Sequence, residues 1–180
     1  PVDSSLSPYQ MRSAHAGNPD LIDPEDLAAH GWLDGCDLDA EPHARMSRAY
    51  VGFYERASAG ERAAFDNFVQ DNRAWLLPYA LFEHHRREFA LAPWWKWPGP
   101  VRNREPAALT AALAGARREL RSIAFEQYVF DRQWQRLREY ANTRGICLFG
   151  DLPFYVDLNS VEVWWHRRLF RVDAAGEPDA

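Results

Sequence analysis

Gly145-Ile146-Cys147-Leu148-Phe149-Gly150-Asp151 is the stretch on which the fold turns. Four consecutive apolar residues between glycines are too few for a helix. A short unbroken apolar run of this kind reads as a strand buried on both faces, the type found in parallel sheets. Cys147 inside it reads as a buried thiol. Upstream, Ile123, Phe130, Trp134, Leu137 and Ala141 fall on one stripe of a helix running from Ile123 to Thr143, with Arg and Glu opposite. Gly145 ends it. Downstream, Ser160 is the expected N-cap of a helix holding Val161, Val163, Trp164, Leu169 and Phe170. Helix, buried strand, helix is the order of an α/β fold with a parallel sheet. One strand cannot make a sheet, and no second convincing strand occurs, so the other strands are expected outside this chain.

The rest reads as helices and loops. Residues 1–23 are rich in turn formers. Asp23-Pro24 predicts an N-cap with Pro at the first helical position, opening a short helix that ends near Gly31. Residues 43–57 suggest a helix, and Ser58 with Glu61 a capping box before another. A third starts near Arg73, with Pro78 in its first turns, where proline is best tolerated. Residues 93–100, Pro-Trp-Trp-Lys-Trp-Pro-Gly-Pro, predict a Trp-rich loop without regular structure. Pro106 starts a helical stretch to about Arg121.

The chain has 180 residues, 47% hydrophobic and 26% charged, a globular mix that argues against disorder. A net charge of −5 leaves no basic surplus to hold a phosphate backbone, so nucleic acid is not an expected partner. No apolar run approaches the roughly 18 residues of a membrane span. Two cysteines, Cys36 and Cys147, are too few for a disulfide framework, and with no signal peptide the expected location is cytoplasmic. The start at Pro1 and the polar tail to Ala180 read as cut ends. Eight Trp, seven Tyr and ten Phe serve either a packed core or flat platforms for sugars.

Two residues stand out chemically. Asp151 follows the buried strand and a glycine. It is either a turn cap before Pro153 or, at the carboxyl end of a barrel strand, a carboxylate facing substrate. Tyr9, between Pro8 and Gln10 in a loop, is either a stacking surface or a ring packed beneath that loop. No metal is expected: His84 and His85 are adjacent and point to different sides of their helix. Asp34, Asp37 and Asp39 lack the glycine and terminal glutamate of a calcium loop. A phosphate-binding glycine loop and a nucleophile elbow are both missing.

A set of motifs adds a resemblance. Ser7-Pro8-Tyr9-Gln10 with Ser13-Ala14-His15-Ala16-Gly17-Asn18-Pro19 resembles S-P-Y-x-x-x-S-A-F-A-G-N-P. Asn72-Arg73-Ala74-Trp75-Leu76 with Tyr79-Ala80-Leu81-Phe82 resembles N-x-x-W-L-x-x-Y-A-L-F, and Trp94 to Pro98 resembles W-x-x-W-P. Phe125-Glu126-Gln127-Tyr128-Val129-Phe130 with Gln133-Trp134 is similar to F-x-Q-F-x-F-x-x-Q-W. Gly150-Asp151-Leu152-Pro153-Phe154-Tyr155-Val156 with Val163-Trp164 is similar to G-D-x-P-I-Y-V…V-W. These are motifs, in order, of the amylomaltase family, glycoside hydrolase family 77. The departures are His15 for Phe, Glu162 for Asp, and Asp20 where an apolar residue is usual.

The resemblance implies a (β/α)8 TIM barrel of the α-amylase clan with a mostly helical insertion, this part being helix-rich. Residues 1–23 would be the active-site loop after barrel strand one and 24–121 mainly the insertion. Residues 122–180 would be a helix, barrel strand three and the next helix. It implies a 4-α-glucanotransferase acting on maltooligosaccharides and α-1,4-glucans by retaining double displacement, without a cofactor. Asp151 would be a supporting catalytic residue, and Ser7 and Tyr9 would bind substrate. The nucleophile and acid/base would lie downstream, leaving this piece inactive alone. The alternative is a non-catalytic α-glucan-binding piece using Tyr9 and the Trp-rich loop.

Overall fold

In the computed structural model the described residues are 10–150, 155–173 and 175–176. Ser7, Tyr9 and Asp151 lie outside them. The described helices are α1 (Pro24–Ala29), α2 (Pro42–Arg56), α3 (Ala59–Asp71), α4 (Arg73–Glu88), α5 (Gly99–Arg102), α6 (Pro106–Gly115), α7 (Arg117–Asn142) and α8 (Val161–Trp165). The chain divides into two compact units. One draws on Gly17–Arg73 and Arg121–Asp151, the other on Pro1–Ala16, Ala74–Leu120 and Leu152–Ala180.

In the first unit the helix starts follow the expected chemistry. The Asp23 carboxylate accepts from the Glu25 amide, with Pro24 at the first helical position. Ser58 and Glu61 cap each other's backbone reciprocally. Gly31 leaves α1 at φ +69°, a conformation that costs glycine least. The core is aromatic. Phe125 of α7 is fully buried, with ring centroids 4.8 Å from Phe53, 5.8 Å from Phe65 and 5.9 Å from Trp32. Several ring pairs of this core, Trp32–Phe53, Phe53–Phe65 and Phe65–Phe125 among them, are edge-to-face, the arrangement favoured by ring quadrupoles. Helix α2 approaches closely because Gly52 has no side chain: a Cβ there would lie 2.2 Å from the Trp32 carbonyl oxygen.

The second unit centres on Phe82 and Leu76 of α4 with Trp94, Trp97 and Trp164, all buried. Here the sequence reading is corrected. Residues 93–100 are not structureless: Trp94–Lys96 makes a 3-10 turn and Gly99–Arg102 a short helix, with the prolines at starting positions that lose no hydrogen bond. Trp94 and Trp97 are core rings, which removes them as sugar platforms. The Trp94 indole N–H donates to the Leu158 carbonyl at 2.7 Å, and the Arg167 guanidinium lies 4.6 Å over the ring.

Three more elements differ from expectation. The stretch after Pro106 divides at Ala116, so the long helix starts at Arg117, six residues before Ile123. The last helix ends at Trp165, and Arg167–Leu169 continues as a 3-10 turn. Residues 146–149 run without strand pairing among the described residues, and Cys147 is exposed rather than buried. Phe149 is 101% exposed. An apolar strand is buried only when neighbouring strands flank it, and the described residues supply none.

Candidate functional site

The loop that resemblance singles out for sugar contact continues, within the described residues, from 10 to 23. Motif side chains hold it at both ends.

In the second unit, the Ser13 hydroxyl accepts from the amides of His15 (3.1 Å) and Ala16 (3.2 Å). It donates to Glu162 Oε1 at 3.1 Å, so its whole hydrogen-bonding capacity is used. The same carboxylate oxygen accepts from the Ala14 amide at 2.8 Å. Ser160 N-caps α8 as expected, and the Val161 amide donates to the Arg12 carbonyl at 2.9 Å. Arg12 also pairs with the buried Glu83 at 3.3 Å. Two departures from the family signature thus keep physical roles. Glu162 supplies a carboxylate to the loop, and His15 supplies a flat ring stacked on Trp75, centroids 6.0 Å apart.

In the first unit, two glutamines of α7 do the holding. Gln127 Oε1 accepts from the Gly17 amide at 2.8 Å, and its Nε2 donates to the Gly17 carbonyl at 3.2 Å. Gln133 repeats the arrangement on Asp23, at 2.8 and 3.1 Å. A carboxamide carries one donor edge and one acceptor edge, so it satisfies both backbone groups of one residue. Position 17 must be glycine, because a Cβ would lie 2.1 Å from the Phe130 ring.

Gln133 Nε2 also reaches Asp26 Oδ2 at 2.9 Å, and Arg136 donates to the same oxygen. Partial burial alone would raise the Asp26 pKa. The hydrogen bonds and charge of Arg136, with Gln133, outweigh it and hold the carboxyl below its ordinary range. Beside this group is an open cavity of about 610 Å³, with Leu21, Phe130, Trp134 and Leu137 as apolar wall and Asp23, Asp26, Gln133 and Arg136 as polar side. The chemistry within each unit is positional: each set of side chains fixes the backbone that it holds.

The roles of Gln127, Gln133 and Glu162 were not legible from local sequence. The available signal was Gln127 within the apolar run of a long helix, since a buried amide there demands a backbone partner. A second set escaped for the opposite reason. Adjacency argued against His84 and His85 acting together, yet their ring centroids are 5.0 Å apart.

Fold and site together define a helical support for a motif-bearing loop. The chain belongs to the 4-alpha-glucanotransferase family, whose model matches residues 1–179. It is 39% identical to the 4-alpha-glucanotransferase of Thermus thermophilus, over 99% of this chain and 38% of that protein. It is 33% identical to the one from Aquifex aeolicus, over 98% of this chain and 38% of that protein. Among solved structures it resembles amylomaltase from Streptococcus agalactiae in complex with acarbose, at TM-score 0.89 and 28% identity, covering 99% of this chain and 39% of that one. The chain therefore spans well under half the length of these relatives. No helix among the described residues is long and apolar enough to cross a membrane.

Proposed function

We propose that this chain is the substrate-positioning part of a 4-α-glucanotransferase that transfers segments of α-1,4-glucans between maltooligosaccharides. The observation that carries the reading is the motif series, together with a family model that matches residues 1–179. The glutamine and glutamate clamps support it, because they hold the loop that follows Ser7 and Tyr9. In this reading Ser7 and Tyr9 bind donor sugar and Asp151 supports the catalytic centre. The reaction is a retaining double displacement in which a carboxylate attacks the anomeric carbon while an acid protonates the leaving oxygen, and a sugar hydroxyl then takes the glycosyl group. Nucleophile and acid/base lie in the remainder of the protein, and no cofactor takes part.

The architectural part of the proposal is a (β/α)8 barrel of the α-amylase clan. Residues 1–23 would be the loop after strand one, 24–121 mainly a helical insertion, and 122–180 a helix, strand three and the next helix. The unpaired, exposed apolar run at 146–149 is what a barrel strand separated from its neighbours would show. A cytoplasmic location belongs to the same reading.

The test is Asp151→Ala in the full-length parent, assayed for disproportionation of maltotriose with the fold checked by circular dichroism. The expected loss is on the order of 10²-fold or more, as for other groups that stabilise a reacting centre. Near-normal transfer would remove Asp151 from the site, and disproportionation by residues 1–180 alone would show that the bond-breaking residues are within them.

A further inference from the structure

We propose that His84, His85 and Glu88 form a binding site for a divalent transition metal of the zinc class, with Glu119 orienting His84. The inference does not depend on the glucanotransferase reading.

Spacing comes first. His84 and Glu88 are four apart on α4 and His85 and Glu88 three apart, so Glu88 lies one turn on from both imidazoles. Glu88 Oε2 is 2.9 Å from His85 Nδ1 and 3.9 Å from His84 Nε2. One donor atom from each of the three residues lies within 4.8 Å of the others. Metal–ligand bonds of about 2.0–2.1 Å at tetrahedral angles place ligand atoms roughly 3.3–3.5 Å apart. The two Glu88 distances bracket that value, and no separation within the set exceeds 4.8 Å, so the three side chains would draw together to share one ion. Adjacent histidines do leave a helix in different directions. Here the glutamate a turn later reaches both.

The second observation concerns the far side of His84. Its Nδ1 is 2.8 Å from Glu119 Oε2, at the start of α7. With the proton on Nδ1 donated to that carboxylate, Nε2 presents its lone pair to the ion's position beside Glu88. Carboxylate, imidazole and metal in series is the usual way a ligating histidine is held and its basicity raised.

His85 fits for a different reason. It is buried, 3% exposed, against Phe89, Trp97 and Trp164, and its Nε2 has no hydrogen-bond partner. When a metal takes Nδ1, the proton moves to Nε2 without breaking any bond that nitrogen makes. Two imidazoles and one carboxylate suit zinc, cobalt, nickel or copper rather than calcium or magnesium. Access is open, since the Glu88 and Glu119 side chains are 49% and 37% exposed. Arg87, 4.0 Å from the other Glu119 oxygen, balances the second carboxylate.

The experiment is a Co²⁺ titration of untagged, chelator-treated protein, followed by visible absorption, with Zn²⁺ then added in competition. The expected result is one Co²⁺ per chain with the bands of four-coordinate nitrogen and oxygen ligation, displaced by Zn²⁺. Glu88→Gln and His84→Ala should each weaken binding by at least about tenfold, and Glu119→Gln by roughly 10–100-fold. His30→Ala should leave it unchanged. Should His84→Ala fail to fold, the two glutamate variants decide, being at half-exposed positions. Absence of saturable binding below millimolar metal, or equal affinity in the wild type, Glu88→Gln and Glu119→Gln, overturns the proposal.

Discussion

Helix α7 has two halves that share one amphipathic pattern and meet opposite surroundings. Residues 122–129 are buried at every position, apolar and polar alike, while residues 134–140 are exposed at every position. In the first half Phe125 sits inside a cage of aromatic rings from α2, α3 and the segment around Trp32. In the second, Trp134, Leu137 and Tyr140 are 42%, 52% and 57% exposed. The apolar stripe therefore states where a helix needs cover, and the surroundings decide whether these 180 residues provide it. Beyond buried Ala141 the chain reaches residues 146–149, which are wholly apolar and likewise uncovered.

The sharpest way to break this comparison is to truncate one ring from the buried half. Phe125→Ala removes the ring common to contacts with Trp32, Tyr50, Phe53, Phe65 and Tyr128. A buried Phe truncated in a close-packed core costs about 3–5 kcal/mol. Urea unfolding should show that loss as a shifted midpoint with an unchanged slope. A loss below about 1 kcal/mol would mean the cage relaxes around the gap and that the buried half is not the stable one.

The two glutamines sharpen the comparison with matched chemistry. Gln127 lies in the buried half and is 2% exposed, and Gln133 lies at the edge of the exposed half. Each carries a paired donor and acceptor to one backbone residue. Gln127→Ala leaves the Gly17 amide and carbonyl without partners in a part-buried place, at a cost of about 1–3 kcal/mol. Gln133→Ala exposes its partners to water and should cost about 0.5–1 kcal/mol. Paired thermal melts measure the difference, and equal losses would show that burial does not separate the two halves.

Much of this was legible in the sequence because it is local. Caps at Asp23, Ser58 and Ser160 depend on residues at most three apart, and each was readable. The helical stripe of α7 was readable for the same reason. What could not be read depends on which distant segment arrives. Trp94 and Trp97 carry the same signal whether they are core or platform, and it is the approach of Phe82, Leu158 and Trp164 that makes them core. Cys147 was expected to be buried because its neighbours are apolar, yet apolar neighbours along a chain do not supply neighbours across a sheet. Glu162 and Ser13 are 149 positions apart, and nothing local in either announces the other. For Ser7, Tyr9 and Asp151 the family resemblance supplied the role, and the clamps hold residues 13–16 in one unit and residues 17–23 in the other.

The smallest stability effect should come from the exposed half itself. Trp134 and Leu137 form part of an open apolar wall, and a ring left 42% exposed in the folded state has less burial to lose on truncation. The double variant Trp134→Ser, Leu137→Ser should change folding stability by less than about 1 kcal/mol, since surface changes away from caps and networks stay near zero. Its effect should instead appear in association. Contiguous exposed apolar surface promotes contact between molecules, so sedimentation velocity should show less self-association for the variant than for the parent at equal concentration. If the double variant proves as destabilising as Phe125→Ala, the outer half of α7 is core, and the contrast between the halves fails. If stability holds and association falls, the stripe at 134–140 is an interface awaiting cover rather than a packed one.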